Sequence, residues 1–394
     1  MSSVGYGSDR RAEVEALRGF LWADPGRWPE LAPRVVEGVG ADRLRRIVAA
    51  TRERVGGFRE VSDSRAGLVV AGPGGRVLAW VRVDRDGLLT GLLISPVPQG
   101  RAELPVAVQR RLVRAFYWLL IGYWAFCCWS SADVTGWAGA LLGLAFGCVL
   151  FEGYGAAGME PWWSRRPIEA VALAALGSAW RLPRLPLGDD WMQLVVGAAL
   201  AGVSTGVLIR ARRHSWGTGP AVPLARFPMR GGWYVGQGGG RYLNHHVDVP
   251  EQRGAVDLLQ VGGSGSYRGD ARTLASYRAY GAEVFAPCDG RVVAAVDGLA
   301  DQVPGVIRYG PLYGNHVVID TGTELVMLAH LRPGTVAVTV GQEVGAGQLL
   351  GQVGNSGNSS EPHLHLHTER QGQGLDLVFA DVGGSLHRGR TVRA

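Results

Sequence analysis

The sequence contains no lysine, so all 40 of its basic residues are arginines. This absence excludes a carrier function in which biotin or lipoate is attached to a lysine side chain. Cysteine is also scarce, because the chain has 4 cysteines and no Cys-x-x-Cys pair. Cys127, Cys128 and Cys148 stand in apolar stretches, where cysteine behaves as a small hydrophobic residue. The sequence therefore predicts neither a disulfide framework nor a zinc site made of thiolates.

Charged residues are few as well, at 19% of the chain against 47% hydrophobic residues. A net charge of +6 and a pI near 9.4 would suit an anionic partner. The arginines form no dense block on a recognisable nucleic-acid module, and we expect no nucleic-acid partner. Anionic lipid or anionic cell wall fits the positive charge equally well, so the charge alone does not decide the partner. Asp9, Arg10 and Arg11 stand near the start without an apolar core, which is not typical of a cleavable signal peptide. Export of a later domain would then need an internal membrane helix.

Residues 1–110 have the pattern of a small soluble α+β domain. Helices and strands joined by Gly-rich turns are predicted at 12–22, 41–55, 67–70, 77–83 and 88–94. This layout is similar to the cone-like α+β modules that precede the catalytic domains of some actinobacterial hydrolases. The segment has no catalytic constellation, so we expect a binding or spacer role for it.

Residues 111–213 are predicted to form a transmembrane region of three or four helices. Three apolar runs have about the length needed to cross the ~30 Å hydrocarbon core, at 116–132, 134–151 and 191–209. A fourth run, 168–180, is shorter and contains Glu169. Tryptophans near the ends of the runs are typical of an interfacial belt.

The number of spans decides the side of the membrane on which the C-terminal domain lies. Arginines before the first run, together with Arg165 and Arg166, predict a cytoplasmic N-terminus and second loop. Three spans then place the C-terminal domain outside, whereas four spans satisfy the charges after the last run and place it inside. We expect a multi-pass protein of the cell membrane with an extracytoplasmic C-terminal domain, and the opposite side is the alternative.

Residues 214–394 are predicted to form a mostly antiparallel β domain, because Gly-rich turns separate short β-type runs. The predicted strands are 283–285, 290–296, 316–320, 325–329, 336–340, 349–353 and 363–368. Seven of the 9 histidines lie between His245 and His367. In the alternating segment 362–367, His363 and His365 project from one face of a strand and two leucines project from the other.

Two imidazoles held side by side on a strand can divide metal ligation and proton transfer between them. A catalytic zinc ion has three protein ligands and an open position for water. His246, Asp257 and His365 would supply two nitrogens and one oxygen, and the zinc would lower the pKa of the water towards ~7. His330 and His363 would remain to take the water proton and to stabilise the oxyanion.

These residues resemble the LytM/lysostaphin-type zinc metallopeptidases, which cut peptide stems or bridges of bacterial peptidoglycan. Residues 351–357 (Gly-Gln-Val-Gly-Asn-Ser-Gly) and 362–365 (Pro-His-Leu-His) match the family signature G-x-x-G-x-[ST]-G…P-H-L-H. Residues 329–331 (Ala-His-Leu) match its second signature, and the resemblance covers about residues 230–385. It implies Zn²⁺ as the cofactor, His365 and Asp257 as zinc ligands, and His330 and His363 as the catalytic imidazoles.

The first motif of the family, H-x-x-x-D, is displaced in this chain, because Arg253 stands four residues before Asp257. The resemblance then implies a ligand from His246, which we favour, or from His245. His367 takes a position where the family often has Glu, and we do not expect it to be a ligand.

The resemblance also predicts the surroundings and the function of the site. His316 resembles a residue of the substrate-groove strand, although a structural role is equally open, and Asn315, Asn355 and Ser356 are expected to border the same cleft. The implied function is a membrane-anchored zinc endopeptidase acting on peptidoglycan peptides. The displaced first motif leaves one alternative, a degenerate domain that binds cell wall or regulates a partner hydrolase without cutting.

Overall fold

The computed structural model describes residues 10–64, 67–96, 106–155, 157–189, 191–216, 223–241, 243–306 and 311–393. The chain divides into two compact units. The first is built from the N-terminal α+β segment, and the second contains a helical bundle together with a C-terminal β domain.

The N-terminal unit is an antiparallel four-stranded meander with helices packed against it. Leu44, Val48 and Val55 form the buried stripe of its longest helix, which ends at Gly56 in the left-handed conformation with φ 70°. The first strand is polar in sequence and was not predicted, because it alternates too little to show a β pattern. The elements are α1 (Arg10–Trp22), α2 (Trp28–Leu31), α3 (Pro33–Val39), α4 (Ala41–Val55), β1 (Glu60–Ser64), β2 (Gly67–Gly72), β3 (Gly75–Val83) and β4 (Leu89–Pro96).

The bundle consists of four helices in series. Three of them are long and apolar enough to cross a membrane, over Val108–Ser130, Val134–Tyr154 and Trp191–Arg213. The fourth predicted run forms a shorter helix that begins earlier than expected, at Trp162. The elements are α5 (Val106–Ser130), α6 (Val134–Val149, extended by a π-helical turn Leu150–Tyr154), α7 (Trp162–Gly177) and α8 (Trp191–Arg213).

Contacts at the two ends of the bundle give the direction of each helix. At one end, the Trp137 indole donates to Ser178 Oγ at 2.8 Å, which joins the start of α6 to the end of α7. At the other end, Trp162 N donates to Gly263 O and Gly240 N donates to Ala211 O. The start of α7 and the end of α8 therefore lie against the β domain. The start of α5 lies there too, because Arg110 donates to Glu361, so the chain enters and leaves the bundle at the same end.

The β domain is built around a nine-stranded antiparallel sheet in the order β11-β8-β9-β10-β13-β6-β5-β15, with β14 paired to β13. A two-stranded sheet of β7 and β12 packs beside it. Its core is mostly aliphatic and includes Leu328, Leu364 and Leu366 at 0% exposure. The strands are β5 (Gly232–Gln237), β6 (Val256–Leu259), β7 (Glu283–Phe285), β8 (Gly290–Val296), β9 (Asn315–Asp320), β10 (Leu325–Leu331), β11 (Glu343–Val344), β12 (Leu349–Gln352), β13 (Leu364–Arg370), β14 (Gln373–Leu375) and β15 (Thr391–Arg393).

The predicted strand at 336–340 is wrong, because these residues join no ladder. Val338 is buried, so the apolar pattern reports a real contact with the core. Ala337 N donates to Leu350 O, but Thr339 N donates to the side chain of Gln342 in the following turn. The segment is therefore an extended connection that supplies a core side chain without pairing as a strand.

Candidate metal centre

Strands β6, β13 and β10 lie at the centre of the large sheet and bring residues of the predicted site together. Asp257 on β6 lies directly opposite His365 on β13, and Ala329 on β10 lies opposite His365 from the other side. Leu364 and Leu366 point into the core, so His363, His365 and His367 share the opposite face. This arrangement is the one that strand alternation predicts for the segment.

Three side chains converge on one carboxylate oxygen. Oδ1 of Asp257 lies 3.1 Å from Nε2 of His246 and 3.0 Å from Nδ1 of His365. Nε2 of His363 follows at 3.6 Å. All of these residues are buried, and Asp257 is 6% exposed. A dense cluster of nitrogen and oxygen ligands of this kind is typical of zinc sites.

The outer partner of His246 fixes which of its nitrogens carries the proton, and His365 has a second imidazole behind it. The amide of Gln252 donates through Nε2 to the hydroxyl of Tyr313, so its oxygen is left to accept from His246 Nδ1 at 3.2 Å. On the other ligand, His365 Nε2 lies 3.0 Å from His367 Nδ1. Such partners orient a metal-binding imidazole and set its tautomer. In this tautomer the lone pair of His246 Nε2 faces the Asp257 oxygen, and His365 Nδ1 lies against the same oxygen. A cation shared by the carboxylate and the two imidazoles would be stabilised there, so the residues fit a zinc ion.

The two remaining histidines are held so that one nitrogen of each stays available. His330 donates from Nδ1 to the carbonyl of Ser356 at 2.8 Å, and His363 donates from Nδ1 to the carbonyl of Glu361 at 2.7 Å. In the neutral form of either ring, the lone pair that can accept a proton is therefore on Nε2. The two ring centroids are 4.7 Å apart, and that of His330 lies 5.8 Å from His365. This pair can accept and return protons beside the metal-binding cluster.

His330 is placed by an irregularity in its strand. The register between β10 and β9 shifts between Ala329 and Leu331, and His330 has a left-handed φ of 64°. Backbone conformations of this kind cost free energy in residues other than glycine and cluster at functional sites. The bulge turns the imidazole toward the cluster, which ordinary alternation along β10 would not do.

Burial and mutual repulsion keep these groups in the states that metal binding requires. Burial lowers the pKa of His365 to about 3, although the hydrogen bond with Asp257 opposes this effect. Burial likewise lowers the pKa of His330 well below 6.5, and the neighbouring His363 adds to the effect. For Asp257, burial alone would raise the pKa, but the surrounding imidazoles lower it well below 3.8. The site therefore combines two neutral imidazoles, those of His330 and His365, with one carboxylate anion.

Both candidates for the displaced ligand lie near Asp257. His245, His246 and Asp257 each offer a ligand atom within 4.8 Å of the others. His246 is buried and held by Gln252, whereas the His245 side chain is 58% exposed and its Nε2 lies 3.7 Å from Asp257 Oδ2. Because a buried, oriented imidazole loses less freedom on binding, we propose His246 as the ligand and place His245 at the open side of the cluster.

Substitution of each histidine separates the two assignments. His246→Ala is expected to weaken zinc binding by ~10²-fold or more, since even partners that only orient a ligand contribute 10–100-fold. His245→Ala is expected to leave about one zinc per chain, as in a site with three protein ligands. Zinc stoichiometry and competition with a chromogenic chelator would measure both. The reverse pattern would assign the ligand to His245.

The residues predicted to border the substrate groove lie deeper than expected. Asn315, Asn355 and Ser356 are 0% exposed. Their side chains bond to the backbone of neighbouring loops: Asn315 to Leu331 O, Asn355 to Gln302 O and Ser356 to Leu331 O. This placement favours a role in holding the loops together. His316 is half-buried beside Tyr313, with ring centroids 5.8 Å apart.

The sequence did not predict the contacts that several residues of the site make. Gln252 and Tyr313 form the chain of contacts behind His246, and His367 lies behind His365. Gln252 precedes Asp257 on a separate 3₁₀ turn, so no fixed spacing links it to the histidines. For His367, strand alternation placed it on the correct face but gave no information about its contact with the ligand ring.

The C-terminal part of the chain is similar to known proteins. Residues 274–377 match the model of peptidase family M23. The peptidoglycan DD-endopeptidase ShyA of Vibrio cholerae is 34% identical over 82 residues, which cover 21% of this chain and 19% of that protein. The murein hydrolase activator EnvC of Escherichia coli is 36% identical over 96 residues, which cover 24% of this chain and 20% of that protein.

Among solved structures, the antimicrobial peptidase lysostaphin from Staphylococcus simulans matches with 21% identity and a TM-score of 0.24, covering 36% of this chain and 47% of that one. This chain therefore spans about a fifth of the length of the two curated relatives and about half of lysostaphin. The family match includes His330, His363 and His365 and begins after Asp257. The C-terminal domain of this chain is a LytM-type domain of peptidase family M23.

Proposed function

We propose that this chain is a membrane-anchored zinc endopeptidase that hydrolyses peptide bonds in peptidoglycan stems or cross-bridges. One observation carries the proposal: His246 and His365 converge on Asp257 within 3.1 Å, while backbone carbonyls hold the Nδ1 atoms of His330 and His363 beside them. A binding protein has no need of the second pair. The name of one relative, a peptidoglycan DD-endopeptidase, supports the substrate class.

The protein residues would divide the reaction as follows. Zinc bound by His246, Asp257 and His365 would supply an activated water and polarise the scissile carbonyl. His330 and His363 would exchange protons through Nε2, because the carbonyls of Ser356 and Glu361 hold their Nδ1 protons. Burial of the cluster excludes bulk water and strengthens its electrostatic interactions.

The alternative is a domain that binds zinc or cell wall and regulates a partner hydrolase without cutting. The printed name of the second relative, a murein hydrolase activator, keeps this alternative in view. Against it stands the complete set of ligand and proton-transfer side chains, because a domain that no longer cuts has no need to retain all five.

The test uses the full-length protein purified in detergent. Zinc content is measured first, and the protein is then incubated with peptidoglycan sacculi, with mass spectrometry of the released muropeptides. We expect about one zinc per chain and new peptide termini that disappear with EDTA and return on addition of zinc. Bound zinc without any cleavage, unchanged by His363→Ala, would contradict the enzyme and support the regulator.

The membrane side of the peptidase domain defines a second candidate. We propose insertion of the bundle in the cell membrane and an extracytoplasmic peptidase domain, because peptidoglycan lies there. The arginines favour the opposite, cytoplasmic side, because positive charge marks the cytoplasmic ends of membrane helices. The end of the bundle away from the β domain has two arginines, Arg181 and Arg184. At the end next to the β domain stand Arg110, Arg111, Arg114, Arg165, Arg166, Arg210, Arg212 and Arg213. A peptidase facing the cytoplasm would act on peptides at the inner membrane surface instead.

Reporter fusions at the C-terminus distinguish these two orientations. With alkaline phosphatase, which is active only outside the cytoplasm, we expect phosphatase activity. With a fluorescent reporter that matures only in the cytoplasm, we expect no fluorescence. The same reporters placed between α6 and α7, which lies at the same end of the bundle, provide an internal control. The reverse result at both positions would exclude mature peptidoglycan as the substrate.

A further inference from the structure

A residue of helix α5 holds a carboxylate next to the catalytic histidines. Glu361 lies two residues before His363, and its side chain is 6% exposed. Arg110, near the start of α5, places Nη2 at 2.7 Å from Glu361 Oε1. The other carboxylate oxygen accepts a hydrogen bond from Ser266 Oγ at 2.7 Å. Both oxygens of this buried acid are therefore bonded, and the cation comes from the helical bundle.

The backbone of the same residue holds the imidazole. The carbonyl oxygen of Glu361 accepts from His363 Nδ1 at 2.7 Å, and Ser359 Oγ lies 3.1 Å from that nitrogen. Pro362 stands between them and has a fixed φ, so the connection is short and stiff. A change in the position of Glu361 would therefore be passed on to His363.

We propose that Arg110 is a positioning residue for His363: it anchors Glu361, and thereby makes the geometry of the proton-transfer site depend on the packing of α5 against the peptidase domain. This proposal rests on the proposed function of the zinc site. It gives the membrane helix a role in the reaction beyond anchoring, because a movement of α5 would alter the carbonyl that fixes the catalytic ring.

The physical reason is the cost of a buried, unpaired charge. A carboxylate removed from water is stable only when it is paired and hydrogen-bonded. Without the Arg110 guanidinium, Glu361 would keep one hydroxyl donor and would turn toward solvent, displacing its own carbonyl. Proton transfer is sensitive to such shifts, since a misplacement of 1 Å can cost ~10²-fold in rate.

The test compares variants of the full-length, zinc-loaded protein on soluble cross-linked muropeptides. Arg110→Gln is expected to lower kcat about tenfold, a part of the ~10²-fold that a full 1 Å displacement costs, with KM and zinc content unchanged. Arg110→Lys is expected to recover most of the rate. The double variant Arg110→Gln/Glu361→Gln is expected to have a higher kcat than Arg110→Gln alone, because it leaves no unpaired buried charge.

Arg114 provides a matched control on the same helix. It forms an ion pair of 2.7 Å with Glu160, outside the peptidase domain, and its side chain is exposed to a similar extent. Arg114→Gln is therefore expected to keep kcat within about twofold, as most surface ion pairs contribute little. Equal effects of Arg110→Gln and Arg114→Gln would reduce the role of Arg110 to general packing and overturn the proposal, as would a wild-type kcat in Arg110→Gln.

A second readout separates this proposal from the proposed function. In the zinc-loaded protein without substrate, ¹⁵N NMR of labelled histidines reports the Nδ1–H of His363, assigned by its loss in His363→Gln. We expect Arg110→Gln to shift this signal and speed its exchange with water, and Arg110→Lys to restore it. If the wild type cuts no peptide, the proposed function fails, while an unchanged His363 signal in Arg110→Gln would still contradict the role of Arg110.

Discussion

Asp257→Asn is expected to remove zinc from the protein and to abolish peptide hydrolysis. The carboxylate is the anion on which His246 and His365 converge, at 3.1 and 3.0 Å. The asparagine side chain has nearly the same shape but no charge to balance a dication. Loss of the metal removes several kcal/mol of transition-state stabilisation, which corresponds to at least ~10³-fold in kcat/KM.

Metal content and activity are measured together for this variant. Zinc per chain should fall to background in dialysed protein, and activity should stay absent after zinc is added at micromolar concentration. Asp248→Asn, at an exposed position in the same short 3₁₀ helix as His246, serves as the control and should behave as wild type. Full zinc content in Asp257→Asn would show that the cluster does not bind the metal as proposed.

His363→Ala and His330→Ala are expected to keep the zinc and lose the reaction. Their Nδ1 protons are held by backbone carbonyls, so Nε2 is the atom that we propose for proton transfer in each. General acid–base catalysis contributes ~10²–10⁴-fold, and we expect kcat to fall by that range in each variant while KM changes little. This pattern differs from that of a ligand variant, because these variants lose the reaction but keep the metal.

The comparison that decides between a ligand role and a proton-transfer role is again zinc content. Both alanine variants should retain about one zinc per chain, and His387→Ala, near the C-terminus, should retain both zinc and activity. Zinc loss in His363→Ala would move this residue into the ligand set. Unchanged kcat in both variants would contradict the proposed role of His330 and His363 in proton transfer.

The sequence was most informative where a local pattern has a direct physical meaning. Strand alternation placed His363 and His365 on one face and Leu364 and Leu366 in the core, and the structure has this arrangement. Helical periodicity gave the bounds of α4 at both ends, because a buried apolar stripe and a terminal glycine mark them. The apolar pattern failed at 336–340, since burial of Val338 does not require its neighbours to pair in a sheet.

Long-range contacts lay outside the reach of such patterns. No spacing in the sequence links Arg110 to Glu361, which are 251 positions apart, or Gln252 to the ring of His246. The left-handed conformation of His330 also has no marker, because the residue is not a glycine. Each of these features depends on which strands and helices become neighbours, and that choice belongs to the whole fold.

The sequence by itself excluded a lysine-linked carrier and a zinc site made of thiolates. It also showed apolar runs of membrane length and an alternating, histidine-rich β segment. Period-2 and apolar patterns express local burial, which is why they can be read without a structure. The tertiary structure decided which atoms meet. It brought Asp257 opposite His365, placed His246 rather than His245 in the buried position, and set Arg110 of α5 against Glu361. Packing of distant segments fixes these contacts, because the free energy that selects them is shared across the whole core.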